Sequence, residues 1–222
     1  MVKKTFSLAI LAAAVMLLAG TPAQANSLDV NADAALTGSV GSNCGGQPCG
    51  LEVVLVDQGQ AYVESDHPNQ EPVVSIKLRM DANGVVLPDL QNGGPGRIRI
   101  LKGYREQGNN PRQHLFVSLK RNIADTQYRV SVLQRDNNEN FQFIGEFFWG
   151  NGDHELEILW DAAGGSGNGN VQVFRDGVLR ADTDVNVTGW NIDMVRMGTI
   201  DMAADGFTAT GSIYLDEYVN TR

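Results

Sequence analysis

The stretch Gln127-Tyr128-Arg129-Val130-Ser131-Val132-Leu133-Gln134-Arg135 decides the fold class. In an extended chain, Tyr128, Val130 and Val132 lie on one side, and the other side is mostly polar, with Arg129 and Arg135. Alternation with a period of two is typical of a strand that has one face toward a core and one toward water. The stretch therefore predicts an antiparallel sheet with one buried face.

The same kind of pattern recurs along the chain, where strand-like runs are separated by Gly, Asn, Asp and Pro. No segment after the first 25 residues predicts a helix. Strands this numerous and this closely spaced indicate a β-sandwich or a barrel. The predicted strands are Leu51–Val56, Gln60–Ser65, Pro72–Met80, Gly96–Tyr104, Gln113–Lys120, Gln127–Arg135, Phe141–Trp149, His154–Trp160, Val171–Arg175, Ile192–Ile200 and Ser212–Val219.

One turn is specified by its residues. Asp176-Gly177 separates Val171–Arg175 from Val178–Arg180. A two-residue Asp-Gly turn between β-rich runs indicates a hairpin, because glycine accepts the positive φ that such a turn requires.

The first 25 residues have the features of a secretory signal peptide. Lys3 and Lys4 precede the apolar run Leu8–Leu18, and Ala23-Gln24-Ala25 supplies a small-x-small cleavage site. The alternative, a membrane anchor, would need a run of about 20 apolar residues. We therefore expect a secreted or periplasmic protein in which a flexible segment (residues 26–50) precedes the folded domain (residues 51–222), with no membrane span.

The two cysteines, Cys44 and Cys49, lie in a Gly-rich stretch of the expected flexible segment. In an oxidising compartment, two nearby cysteines most simply form a disulfide. The alternative is a metal site, which would need further ligands, and the three histidines are scattered through the sequence.

The charge is distributed unevenly. The net charge is −9, yet the stretch from Lys77 to Arg135 contains eleven basic and only four acidic residues. A nucleic-acid-binding protein would be basic overall, so we expect no nucleic-acid partner. A local basic face is compatible with the pattern.

Several segments between Ala61 and Arg222 resemble concanavalin A-like lectin/glucanase (LamG-like) jelly-roll domains of secreted bacterial proteins. The segments that carry the resemblance are Ala61–Pro72, His154–Trp160, Val173–Gly177, Val195–Gly198 and Gly211–Tyr218. The resemblance implies a two-sheet antiparallel jelly-roll sandwich. The family includes lectins, glycanases and lyases, so the resemblance implies a fold more than a function.

The catalytic motifs of such enzymes are not matched. Laminarinase-type glycanases of this fold carry E-x-D-x-x-E on one strand, and here Glu155 and Glu157 are followed by Trp160 at the last acidic position. Alginate-lyase-like jelly rolls carry Q-[IV]-H, whereas His114 directly follows Gln113. No catalytic residue is therefore predicted, and we expect a protein without its own catalytic activity.

The basic residues are the main candidates for ligand binding. If their strands are neighbours in one sheet, their polar sides form a cationic face suited to carboxylates or sulfates. The alternative is an ordinary solvated strand surface. The candidates are Arg97, Arg99, His114, Lys120 and Arg129, with Lys77, Arg79 and Arg135 in the same pattern.

Tryptophan could add a stacking surface for sugars. Trp190 lies in a predicted loop and is a candidate for ligand contact, with a core position as the alternative. Trp160 and Trp149 are predicted to be core residues, the latter together with Phe141, Phe143 and Phe147.

Calcium is the one cofactor that the sequence suggests. It binds to several oxygen atoms that converge from loops. Asp182, Asp184 and Asp216 are the candidate ligands, with Asp81 and Asn83 as further ones, although these residue types are also common in turns.

Together these features predict a secreted, non-catalytic protein that binds a polysaccharide or a cell-surface glycan, with acidic polysaccharide as a candidate ligand. A divergent polysaccharide lyase or glycoside hydrolase and a structural envelope or matrix protein are the alternatives. The sequence does not predict the oligomeric state.

Overall fold

The structure is a computed structural model that describes residues 28–31, 34–37, 50–55, 60–82, 85–87, 96–105, 112–121, 127–162, 169–187, 190–202 and 209–221. The expected signal peptide, Cys44 and Cys49 lie outside these residues. No helix in the described part of the chain is long and apolar enough to span a membrane.

The described residues form fourteen strands: β1 (Leu28–Asn31), β2 (Ala34–Thr37), β3 (Gly50–Leu55), β4 (Ala61–Glu71), β5 (Val73–Asp81), β6 (Gly96–Arg105), β7 (Arg112–Arg121), β8 (Tyr128–Arg135), β9 (Phe141–Gly150), β10 (Asp153–Asp161), β11 (Gly169–Arg175), β12 (Val178–Val185), β13 (Ile192–Met202) and β14 (Gly211–Thr221).

The strands form two sheets of seven. The strand order is β1-β4-β13-β6-β7-β8-β9 in sheet A and β12-β11-β10-β5-β14-β3-β2 in sheet B. The strand pairings within these sheets are antiparallel. The prediction of an all-β, two-sheet antiparallel jelly-roll sandwich is confirmed.

The core lies between the sheets and follows the predicted alternation. Ile98, Val130 and Ile158 are fully buried, and Trp149 and Trp160 are buried as predicted. Both indole N–H groups have acceptors, because Trp160 Nε1 donates to Gln134 Oε1 at 3.0 Å and Trp149 Nε1 donates to the Met80 carbonyl at 3.3 Å. These bonds remove the cost of burying an unpaired donor.

The Asp176-Gly177 turn joins β11 to β12 as predicted. Both residues have positive φ, 50° for Asp176 and 71° for Gly177. The Asp176 carboxylate also accepts a hydrogen bond from the Glu155 backbone N–H at 3.0 Å and lies 2.8 Å from His154 Nδ1. The side chain of the turn thereby fixes the hairpin against the start of β10.

Two short strands lie in the segment that we expected to be flexible. In β1, Val30 is the register partner of Val63, and in β2, Leu36 is the partner of Leu51. Each strand adds to the end of a different sheet, so the two sheets extend into the part of the chain that precedes the expected domain boundary at residue 51.

The prediction that Phe141 and Phe143 are core residues is wrong. Val132 pairs with Gly145 and Leu133 pairs with Phe143, so Ile144 is an extra residue in β9. Such a β-bulge reverses the sidedness of the strand beyond it. As a result Phe141 and Phe143 are exposed, whereas Trp149 at the other end of β9 is buried.

The edge strand of sheet A, β9, is bonded to sheet B. Thr183 Oγ1 donates to the Ile144 carbonyl at 3.3 Å, and the Arg175 guanidinium donates to the Phe148 carbonyl at 2.6 Å. Gln142 Nε2 donates in the other direction, to the Asp184 carbonyl at 2.8 Å. Side chains therefore join the two sheets at this edge.

Candidate functional site

The outer face of sheet A is predominantly basic. The register of β6, β7 and β8 places their buried apolar residues toward the core and the intervening residues outward. Among the described residues, seven basic and three acidic side chains point outward from this sheet. They are Arg97, Arg99, Lys102, Lys120, Arg129, Arg135 and Arg196, with Glu64, Glu146 and Asp201.

Cross-strand pairing orders these side chains into rows that run across the strands. Arg97 is the register partner of Lys120, Lys120 is the partner of Arg129, and Arg129 is the partner of Phe148. We call these four residues the Arg97 row. Residues in direct register are neighbours on one face of a sheet, so three cations and one aromatic ring adjoin one another across four strands.

Two further rows lie beside it. The middle row, the Arg99 row, has hydroxyl groups at its centre and acids at its ends. The outermost of the three, the Lys102 row, continues from cationic to apolar side chains. The Arg99 row is Asp201, Arg99, Ser118, Ser131 and Glu146, and the Lys102 row is Arg196, Lys102, Phe116, Leu133 and Phe143.

Aromatic rings support several of the cations. The Arg99 guanidinium lies 4.8 Å from the Phe116 ring centroid, and the Arg129 guanidinium lies 4.8 Å from that of Phe148. The Arg196 guanidinium has two tyrosine rings within 4.8 Å, and Arg135 lies 4.9 Å from Phe141. Such contacts contribute about 0.5–1 kcal/mol each at exposed sites and hold the guanidinium group in place. The face is therefore a set of positioned cations.

Lys102 is the buried member of the set. Its side chain is only 1% exposed, and its ammonium forms a salt bridge with Asp201 and a hydrogen bond of 3.1 Å to Gln113 Oε1. Burial is the main cause that lowers the pKa of Lys102, and the Asp201 carboxylate opposes it. Burial also raises the pKa of the neighbouring Tyr104 hydroxyl to about 12. Lys102 is therefore a buried cation that Asp201 and Gln113 hold in place beside the exposed cations of the face.

The edge of the face is aromatic. Phe141, Phe143 and Phe148 on β9 are each more than half exposed. They lie at the ends of rows that each contain at least one cation. Exposed apolar groups beside polar ones are characteristic of binding surfaces. The sequence placed Phe141 and Phe143 in the core instead, because it does not reveal the bulge at Ile144 that turns this end of the strand outward.

Four of the six predicted ligand-binding residues come together here. Arg97, Arg99, Lys120 and Arg129 lie on adjacent strands of sheet A and point outward. Three of these four cations form salt bridges with described acidic residues. Arg99 is 2.8 Å from Asp201, and Lys120 and Arg129 share Glu146 at 2.8 and 3.4 Å.

His114 and Trp190 do not lie on the surface of this face. Their ring centroids are 3.7 Å apart, and the two residues are 0% and 7% exposed. Burial lowers the pKa of His114 to about 3, and the positive charges of Arg105, Arg135 and Arg112 act in the same direction. The two rings therefore pack against each other in the interior and are not available to a ligand. The expectation that His114 adds a cation was wrong, and Trp190 adopts its alternative, core position.

Lys77 and Arg79 lie in the other sheet. Lys77 Nζ is 3.3 Å from Glu155 and 3.5 Å from Glu157, and Arg79 Nε donates to Asp153 at 2.8 Å. Glu155 and Glu157 do share one face, as predicted, and Lys77 occupies the space between them. Sequence proximity placed these two cations in the wrong set, because β5 joins sheet B.

The outer face of sheet B is acidic. Besides Lys77, Arg79 and the exposed Arg180, its described strands carry nine outward acidic residues, so the two outer faces of the sandwich have opposite charge. The nine are Glu52, Asp81, Asp153, Glu155, Glu157, Asp161, Asp182, Asp184 and Asp216.

The predicted calcium ligands are not brought together. Asp182 and Asp184 lie on β12, where Asn170 Nδ2 donates to both at 2.8 and 3.3 Å. Asp216 lies on β14, separated from β12 by three strands of sheet B. At about 4.8 Å per strand, this distance is too large for one ion. In the described part of the chain, no three His, Cys, Asp or Glu side chains cluster in a way that could hold a metal ion.

Comparison with known proteins shows the fold. No family model and no curated protein matches this chain. The receptor-binding domain of botulinum neurotoxin type G is similar, with a TM-score of 0.55 and 13% identity, over 88% of this chain and 42% of that one. The binding domain of botulinum neurotoxin DC in complex with SialylT gives a TM-score of 0.54 and 11% identity, over 86% of this chain and 42% of that one.

An enzyme shares the same architecture. The alginate lyase from Klebsiella pneumoniae is similar with a TM-score of 0.51 and 9% identity, over 80% of this chain and 82% of the lyase. The chain thus spans about two fifths of the length of the toxin domains and most of the lyase. The common feature is a two-sheet jelly-roll sandwich, and the concanavalin A-like, LamG-like assignment stays a prediction.

Proposed function

We propose that the chain is an exported, non-catalytic glycan-binding jelly-roll protein that holds a polysaccharide or a cell-surface glycan on the outer face of sheet A. The proposal includes the export that the N-terminal sequence predicts, to the periplasm or the exterior. Membership of the LamG-like group is part of the same proposal.

One observation carries the proposal. Cations from adjacent strands lie in register on one face, are held against aromatic rings, and adjoin a row of exposed phenylalanines. Arginine binds carboxylates and sulfates with two parallel hydrogen bonds, and flat rings provide apolar surface for the C–H face of a sugar. The similar solved structures include toxin binding domains, one of them in complex with SialylT, which supports a glycan ligand.

The face supports binding better than catalysis. A general base or acid must come within hydrogen-bond reach of its substrate. Lys102 and Tyr104 are titratable groups of this face with shifted pKa values, yet both are at least 98% buried. Arg196 beside them is bonded to Glu64 at 2.6 Å. A divergent lyase or hydrolase therefore remains the second reading, and a purely structural envelope protein the third.

The test is a binding screen of the chain without residues 1–25 on an array of neutral and acidic glycans, with and without calcium. The variants are Arg99→Ala and Phe143→Ala on the face. The controls are Arg180→Ala and Leu179→Ala, because both residues are exposed on β12 of the other sheet.

We expect at least one glycan to bind, with a loss of tenfold or more in the face variants and no loss in the controls. An equal loss of glycan affinity in the face variants and the control variants, or no binding of the wild-type protein to any glycan, would refute the proposal. Release of reducing or unsaturated ends from a bound polymer would replace it with the enzyme reading.

A further inference from the structure

We infer that the Arg97 row binds a polyuronate chain that lies across the strands, with successive carboxylates at Arg97, Lys120 and Arg129 and a sugar ring at Phe148. The inference rests on the proposed function and specifies its ligand class and the direction of the chain.

The Arg97 row has unused positive charge. Arg97 is exposed and forms no ion pair with any described residue. Lys120 and Arg129 share Glu146, so the ion pairs known within the described part of the chain place one carboxylate beside the three cations of the row. By contrast, Arg99, Lys102 and Arg196 in the other rows are bonded to Asp201 or Glu64. An anionic ligand is thus best accommodated at the Arg97 row.

The spacing suits a polymer with one charge on each sugar. Neighbouring strands lie about 4.8 Å apart, and the row supplies one cation on each of β6, β7 and β8. This interval is close to the length of one pyranose residue in an extended chain. A polyuronate carries one carboxylate on every residue, and the long, flexible side chains of arginine and lysine can reach carboxylates on either edge of a chain that lies flat on the face. Its backbone must then run perpendicular to the strands.

The end of the row provides a different contact. Phe148 is 52% exposed, and the Arg129 guanidinium lies 4.8 Å from its ring centroid. A sugar that reaches β9 therefore meets an apolar ring beside a cation. Because pyranose rings have an apolar C–H face as well as a carboxylate, Arg129 and Phe148 together fit one uronate residue.

The charge of the rest of the molecule sets which side meets the polymer. The acidic outer face of sheet B repels a polyanion, while the face of sheet A attracts it. Electrostatic complementarity of this kind steers encounters and selects against wrong orientations. A chain with a net charge of −9 can therefore bind an acidic polymer through one face.

The experiment is isothermal titration of polygalacturonate and of its methyl ester, which has the same backbone without the charge. The protein variants are Arg97→Gln, Lys120→Gln, Arg129→Gln and Phe148→Ala, with Arg180→Gln as the matched control. Thermal unfolding of each variant checks the fold. Arg97→Gln is the cleanest test, since this side chain has no described ion-pair partner to lose.

We expect polygalacturonate to bind and its ester to bind at least tenfold more weakly. Arg97→Gln and Arg129→Gln should each weaken binding at least fivefold, and added salt should weaken binding of the acidic polymer. Equal affinity for polymer and ester, or no effect of Arg97→Gln, would overturn the inference. If Arg129→Gln binds polygalacturonate as tightly as the wild-type protein does, the inference that the polymer runs across the strands would be overturned.

Three other results have distinct meanings. Tighter binding of a sulfated polysaccharide or of single-stranded DNA through Arg97 would assign the row to another ligand class and overturn the inference. Binding of a neutral glycan that is lost in Phe143→Ala but kept in Arg97→Gln would preserve the proposed function and refute the polyuronate. No binding to any glycan would refute both.

Discussion

Acidification should destabilise this protein through His114. The imidazole is fully buried against Trp190, and neither ring nitrogen has a hydrogen-bond partner among the described residues. Burial, together with the positive charges of Arg105, Arg135 and Arg112, lowers its pKa from 6.5 to about 3. Protonation of this ring in the folded state is therefore strongly disfavoured.

The sign and size of the effect follow from the two pKa values. Above pH 6.5 the ring is neutral in both states and His114 has no influence on the pH dependence. Between pH 6.5 and about pH 3 the unfolded chain binds the proton and the folded one does not, so stability falls as the pH falls. The slope is about 1.4 kcal/mol per pH unit. At pH 4.5 the free energy of unfolding should be lower by about 3 kcal/mol from this group alone.

The assay is urea unfolding of the wild-type protein and of His114→Phe between pH 7.5 and 4.5. Carboxylates titrate in both proteins, so the difference between the two curves isolates the histidine. We expect the loss of stability between these pH values to be smaller by about 2–3 kcal/mol in the variant. His114→Leu serves as a second variant if phenylalanine does not fit. Parallel curves for wild type and both variants would refute the reasoning.

Three substitutions test the packing of the sandwich by urea or thermal unfolding. Trp160→Phe removes the N–H that bonds Gln134 at 3.0 Å in the core and should cost about 1–3 kcal/mol, with no change indicating that the bond is not made. Gly177→Ala at φ 71° should cost about 1 kcal/mol without changing the β-sheet signal in circular dichroism. Gly198→Ala places a Cβ 2.4 Å from the Ala61 carbonyl oxygen and should cost more than about 2 kcal/mol, and wild-type stability would show that β4 and β13 pair differently.

The fold could be predicted from the sequence because each sheet has one buried side. Alternation in the segment around Val130 fixed which residues face inward, and Asp176-Gly177 fixed a turn by its own conformational preference. These signals are local, so they can be read without knowing the neighbouring strands. The partners of each strand cannot be read in this way, and Lys77 was therefore assigned to the wrong cationic group.

The candidate face was only partly predictable. Its charged members, such as Arg97 and Arg129, are visible as outward residues of alternating strands. Its aromatic edge is not, because the bulge at Ile144 reverses the direction of Phe143 relative to Trp149. A bulge depends on how two strands fit together, and the sequence of one strand does not reveal it. The burial of His114 likewise depends on a distant loop that carries Trp190.

The bonds that join β9 to sheet B have a consequence for assembly. With the Ile144 and Phe148 carbonyls already accepting side-chain hydrogen bonds, these two groups are less available to an incoming strand of another molecule. Addition of a strand from a second copy of the protein is therefore disfavoured at the β9 edge of sheet A. The exposed phenylalanines of β9 therefore lie beside an edge that is partly blocked against strand addition.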